Sequence, residues 1–181
     1  MIIGIIILLV ILAGFVISNY NQLVGLRNKV KDQWAQIDVQ LKKRCDLIPN
    51  LVETVKGFAK HEKSTLEDVI KARNTFLSAS SSEDEMKANG ELTNALNKLF
   101  ALSEAYPELK ANENFLSLQN DLKDVEEKIS YARQFYNDNV MEYKNKIEMF
   151  PSNIIASIFG FKQEPFFEAT ENERKNVEVK F

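Results

Sequence analysis

Sixteen consecutive residues near the N-terminus, Ile2–Ile17 (IIGIIILLVILAGFVI), carry no charged or strongly polar side chain. No other feature restricts the fold as much. A helix this apolar on every side has no face for water, so it belongs in a core or in lipid. At about 1.5 Å per residue it spans roughly 25 Å, the short end of what crosses a ~30 Å hydrocarbon layer. Tyr20 follows where an interfacial aromatic anchor is expected, and Leu23, Val24 and Leu26 extend that contact. A cleaved signal peptide fits poorly: no basic residue precedes the run, and no small-x-small cleavage site follows it. A core helix fits poorly too, because so long an apolar run at the very start of the chain has no evident core to enter. Residues 1–19 are therefore read as a transmembrane helix.

The basic residues set an expected orientation. None precedes the span, whereas Arg27, Lys29 and Lys31, then Lys42, Lys43 and Arg44, follow it. The positive-inside bias places the N-terminus outside and the rest of the chain in the cytoplasm, as a single-pass protein of the cell membrane.

The remaining residues suit one domain of ordinary size. The net charge of −3, with acids and bases interleaved, gives no basic stripe for nucleic acid. A single cysteine, Cys45, excludes a disulfide framework within the chain.

Past the span, apolar residues recur in steps of three or four at Leu23, Leu26, Val30, Trp34, Ile37 and Leu41, one helical stripe. Nothing interrupts the helix between residues 20 and 45, so the span is expected to continue into the first helix of the domain. Asp46-Leu47-Ile48-Pro49 predicts a break, because Pro is tolerated only in a helix's first turn and Asp is a good N-cap. A tight turn at Cys45–Asp46 and a second helix from Leu47 are expected. The stripe of that helix is Ile48, Val52, Val55, Ala59, Leu66, Val69 and Phe76, and its frame also takes in Glu62 and Arg73. These two lie roughly 16 Å apart along a helix, so they cannot pair with each other, and if their slots face inward each needs a partner on another helix.

Ser78–Ser82 reads as a loop, with Ser82 and Glu85 as a capping box. The third helix carries Leu92, Leu96, Leu99, Phe100 and Tyr106 and ends before Pro107. The fourth carries Phe115, Leu118, Leu122, Val125, Ile129, Ala132, Tyr136, Tyr143, Ile147 and Phe150, with Asn139 in its polar slot and Pro151 as its stop. The expected fold is all-α: an N-terminal transmembrane helix continuous with the first helix of an antiparallel, four-helix-type, coiled-coil-like bundle. The expected organisation is a span over 1–19, a helical bundle over 20–150, and an apolar C-terminal segment with a charged tail over 151–181.

An even number of helical passes returns Phe150 toward the bilayer. There the sequence places Ile154-Ile155-Ala156-Ser157-Ile158-Phe159-Gly160-Phe161 and Phe166-Phe167. Two readings stand for residues 154–167: they cap the bundle's open end, or they dip into the membrane interface as a second, monotopic contact. The tail from Glu168 on is read as solvated or partly disordered.

The search for chemistry returns little. His61-Glu62 begins a zinc-protease HExxH, but residue 65 is Thr, and position 58 is Phe where a di-iron Glu-x-x-His needs Glu. Cys45 and His61 are too far apart along the chain's helices to act as a nucleophile pair, and Cys45 reads as a small apolar residue. Phosphate-cradling glycine motifs are missing. Glu62, Arg73, Arg133 and Asn139 are read as a polar layer that fixes register or, less simply, binds a ligand. No catalytic, cofactor-binding or metal-binding residue is assigned, no cofactor is expected, and the chain is not expected to be an enzyme.

Three segments carry a family resemblance. YNQLVGLRNKVKDQWAQIDVQLKKRCDLIPNLVETVKGFAKHE (Tyr20–Glu62), EAYPELKANENFLSLQNDL (Glu104–Leu122), and ARQFYNDNV with FPSNIIASIFGF (Ala132–Val140, Phe150–Phe161) resemble the LemA family in order and spacing. DLIPNLV and YPELKANENF are the most distinctive. The resemblance implies a bacterial-type inner-membrane protein with an N-terminal span and a helical bundle. It brings no established activity, cofactor or catalytic residue. The expected role is a membrane-anchored helical scaffold or interaction protein. The alternatives are a lipid-binding or membrane-remodelling, stress-related protein and, last, an enzyme using the polar layer. Expected partners are the lipid bilayer, proteins of unidentified kind and further copies of the chain, without nucleic acid.

Overall fold

The structure, a computed structural model, describes residues 2–168, and the charged tail beyond lies outside them. The described residues form six helices: α1 (Ile2–Phe58), α2 (Lys63–Leu77), α3 (Ser82–Ser103), α4 (Pro107–Lys110), α5 (Glu113–Glu148) and α6 (Ser152–Ile158). Among the described residues there is no strand. Two compact units are distinguished. One is made by residues 2–36 and 132–166, the other by residues 37–131 with 167 and 168.

The apolar run does continue into the first domain helix, but the expected turn at Cys45–Asp46 is absent. The 57 residues of α1 run through Pro49 without a break. Proline lacks an N–H and cannot serve the carbonyl four residues back, which normally ends a helix. Here the Cys45 carbonyl accepts from Arg73 Nε on α2 at 3.0 Å instead. A donor from another helix replaces the missing backbone bond, and Pro49 itself is exposed. The chain reverses later, at Ala59–Glu62, where Ala59 and Glu62 amides still close turns onto the Val55 and Ala59 carbonyls.

The unit formed by residues 37–131 carries most of the predicted stripes inward. Ile37, Leu41, Ile48, Val52, Val55, Ala59, Leu66, Val69 and Phe76 are all buried, as are Leu92, Leu96, Leu99, Phe115, Leu122, Val125 and Ile129. The rings of Phe100 and Phe115 meet edge to face at 6.2 Å. The cap of α3 sits one residue earlier than expected. Ser81, in extended backbone, accepts from the Asp84 amide, so Ser81-x-x-Asp84 is the cap and Ser82 is already helical. Asn112 Oδ1 caps α5 by accepting from the Phe115 amide at 3.0 Å.

In the other unit, Leu23 and Val30 of α1 and Tyr136, Val140 and Tyr143 of α5 are buried. Val140, not Asn139, fills the inward slot. Asn139 lies beside it, with its amide turned onto its own helix at the Phe135 carbonyl, 2.7 Å away. The Trp34 and Tyr136 rings pack at 5.5 Å. Phe150 falls outside α5 and is 80% exposed, which corrects its place in the buried stripe.

Candidate functional site

The run Ile2–Ile17 is exposed along almost its whole length, and only 6% of its most apolar window is buried within the protein. This separates it from a soluble core helix, which is covered by its own fold. At its end Asn19 turns its side-chain amide back onto the Phe15 carbonyl, donating at 3.0 Å.

Tyr20 is the next residue, and the C-terminal segment comes back to it. Its ring lies 4.8 Å from Phe159 and 5.7 Å from Phe161, both in tilted or edge-on geometry. Arg27, two turns further along α1, places its guanidinium 5.1 Å from the Phe161 ring centroid. A Schellman motif makes this return possible. The Phe161 amide donates to the Ala156 carbonyl and the Gly160 amide to that of Ser157, with Gly160 at φ +70. That left-handed residue turns the chain at once, so Phe161 is buried while its neighbour Phe159 is 52% exposed.

The segment thus divides by face. Ser152, Ile155, Ala156, Phe161 and Phe167 are buried, whereas Phe150, Ile154, Ile158 and Phe159 are open. Ser152 Oγ donates within a turn whose acceptors are the Lys146 and Met149 carbonyls. Further along, the Tyr136 hydroxyl donates to the Pro165 carbonyl at 2.9 Å, tying the segment to α5. Burial, with Glu164 nearby, pushes that phenol well above its ordinary range. The Tyr143 phenol is raised for the same first reason, with Arg27 opposing.

Glu62 and Arg73, two of the polar residues singled out in the sequence, contact different elements. Glu62 is the N-cap residue of α2, and its carboxylate accepts from the Tyr106 hydroxyl at 3.1 Å, which raises the Tyr106 pKa. Arg73 serves the Cys45 carbonyl. Arg73 thus meets another helix, whereas Glu62 lies in the turn before α2 and meets Tyr106 just ahead of α4. Arg133 and Asn139 belong to the other unit. His61 is exposed, while Cys45 is fully buried with its thiol pushed up to about 11 by burial, against the pull of Arg73 and Arg44. Among the described residues no group of three or more His, Cys, Asp or Glu is arranged to hold a metal.

A different polar cluster does form. Arg44, with its side chain 5% exposed, donates to Asn89 Oδ1 at 2.8 Å and to Thr93 Oγ1 at 3.0 Å, and pairs with Glu126 at 3.0 Å. It joins α1, α3 and α5. The sequence held the hint: Leu41, Arg44 and Ile48, like Asn89, Leu92 and Leu96, keep the stripe's steps of three and four. Arg44 instead drew attention only as a charge following the span.

A sequence profile described as the LemA family matches residues 33–181. The magnetosome proteins MamQ 2 of Paramagnetospirillum magneticum and MamQ of Magnetospirillum gryphiswaldense are 25% and 24% identical, over 84% and 83% of this chain. The chain spans 65% of the length of each of these two relatives. A protein LemA of Metamycoplasma hominis is 24% identical over 90% of this chain and 75% of its own length.

Proposed function

The chain belongs to the LemA family, and from that premise we propose that it is a membrane-anchored helical scaffold that holds partner proteins near the bilayer rather than performing chemistry. The observation that carries this reading is α1. One helix contains both an exposed apolar run long enough to cross a membrane and, without a loop, the stripe that packs the helical domain. The domain is read as an antiparallel helical bundle on the cytoplasmic side, from the basic residues that follow the span. The polar side chains support a structural role, since Arg44, Glu62 and Arg73 are each spent on contacts between elements. The relatives named magnetosome proteins do not extend the reading to that organelle, because this chain covers only part of their length.

Carbonate extraction and thiol labelling test the proposal together. The full chain should stay with membranes at high pH, and a form lacking residues 1–19 should not. With Cys45→Ala and Ser80→Cys, an impermeant thiol reagent should label only lysed cells. Labelling of intact cells overturns the cytoplasmic placement, and release of the full chain by carbonate overturns the anchor. Crosslinking in intact membranes, followed by identification of the captured proteins, then tests the scaffold itself. Capture of no protein would remove that role. The second reading, a lipid-binding protein, is favoured by the open apolar side chains beside Tyr20.

A further inference from the structure

We propose that Phe150, Ile154, Ile158 and Phe159 form a second contact with the bilayer interface, lying flat against the lipid beside the point where α1 leaves it. The inference rests on the reading that Ile2–Ile17 crosses the membrane, and it adds a lipid-facing surface from the far end of the sequence.

The argument is one of depth. Tyr20 stands three helical steps, about 4.5 Å of rise, beyond Ile17. Tyr20 therefore stands at the headgroup level once the apolar run is inserted, where tyrosine rings are favoured. Phe159 is held 4.8 Å from that ring and Phe161 5.7 Å from it. The C-terminal segment thus reaches the same depth as Tyr20, within the 5–10 Å zone that interfacial helices occupy.

Exposure then decides which side chains meet lipid. Phe150 is 80% exposed, Ile158 71%, Phe159 52% and Ile154 51%. In α6 the residues 154 and 158 are one turn apart on an open face, while 155 and 156 are buried against the protein. Four large apolar residues left open so close together mark a surface that something covers. The covering is lipid because the patch is continuous with the span through Tyr20. Exposed Lys162 lies directly after the buried Phe161, so the patch is flanked by a cation able to face lipid phosphates. On this proposal the segment serves two faces: Ile155, Ala156 and Phe161 pack against the protein, and Ile154, Ile158 and Phe159 face lipid.

Short-range fluorescence quenching tests this on the full chain. Trp34 is the single tryptophan, so a Trp34→Phe background accepts one reporter at a time. Ile158→Trp and Phe159→Trp place it in the patch, and Leu9→Trp places it in the span. Each variant is reconstituted in phosphatidylcholine vesicles carrying bromine either near the headgroup end of the acyl chains or deep within them. Shallow bromine should quench both patch variants strongly, and deep bromine should quench Leu9→Trp. If Leu9→Trp is quenched and neither patch variant is, the span stands and the second contact is overturned. If no variant is quenched, the span fails and takes the inference with it. Patch variants that stay unquenched, but crosslink to a second copy as protein density in the vesicles rises, give the surface to self-association and also overturn the proposal.

Discussion

Arg73 on α2 donates its Nε hydrogen to the main-chain carbonyl of Cys45, the carbonyl that Pro49 on α1 has no hydrogen to serve. A gap left by one side of the protein is closed by a side chain 28 positions later. The pairing makes a long helix tolerate a residue that would otherwise end it. It also yields a double-mutant test. Arg73→Met strands a buried carbonyl and should cost about 1–3 kcal/mol. In a Pro49→Ala background the new N–H serves that carbonyl, so the same change should cost markedly less. Thermal melts of the four proteins in detergent measure the coupling, expected at roughly 0.5–3 kcal/mol. Strict additivity would show that the two residues are independent.

The Arg44 cluster predicts an asymmetry. The Glu126 side chain is 39% exposed, whereas that of Arg44 is almost wholly buried. Glu126→Ala should therefore destabilise more than Arg44→Met, by about 1–2 kcal/mol, because only the first leaves a buried charge short of a partner. Denaturant midpoints of the two variants compare them directly, and a larger loss for Arg44→Met would contradict the burial argument.

Burial of Cys45 predicts a pH dependence of known sign. The folded thiol titrates at about 11, above its ordinary range of about 8.5. A raised thiol pKa contributes its full share of stability below the unfolded value and loses it as pH climbs toward the folded value. The wild type should thus lose stability relative to Cys45→Ala between about pH 8.5 and 11, with a slope near 1.4 kcal/mol per pH unit. Stability curves of the two proteins over that window test it, and parallel curves would refute it. At neutral pH the thiol should resist alkylation until the protein unfolds.

The α3 cap separates two neighbouring serines. Ser81→Ala removes the acceptor for the Asp84 amide and should cost about 1 kcal/mol, while Ser82→Ala should be nearly neutral. Melting temperatures that fall equally for both would place the helix start elsewhere.

Gly160 predicts a loss that is local in cause. A Cβ there meets no neighbour within 4 Å, so space is not the obstacle. The positive φ is. Gly160→Ala should cost about 1 kcal/mol and loosen the turn that seats Phe161 against Tyr20 and Arg27. A melt together with the exchange rate of the Phe161 amide would detect both effects.

Much of the helical architecture was legible because it repeats. The stripes from Leu23 to Leu41 and from Phe115 to Ile129 follow a spacing that any window of the sequence exposes, and burial followed that spacing closely. The misreadings share one cause, dependence on residues distant in sequence. Pro49 looks like a helix start until Arg73 is seen to replace its missing hydrogen bond. Arg44 looks like one more basic residue after the span until Asn89, Thr93 and Glu126 surround it. Of the candidate surface, the apolar run and the aromatic segment were both visible in the sequence. Their meeting at Tyr20 was expected only as a shared end of the fold. That Gly160 places Phe161 inside and leaves Phe159 outside required the local backbone geometry.

The unbroken path of α1 from the apolar run to Tyr20 has a consequence for angle. A helix advances about 100° per residue, so the bearing of Tyr20 around the helix axis is locked to that of every side chain in the run. One alanine added between Ile17 and Tyr20 would turn the Phe159 side of the protein through more than a quarter circle, and seven would bring it back to within about 20°. The apolar run therefore fixes a bearing as well as a height along the helix, and rotational phase is a property this chain can lose and regain by insertion alone.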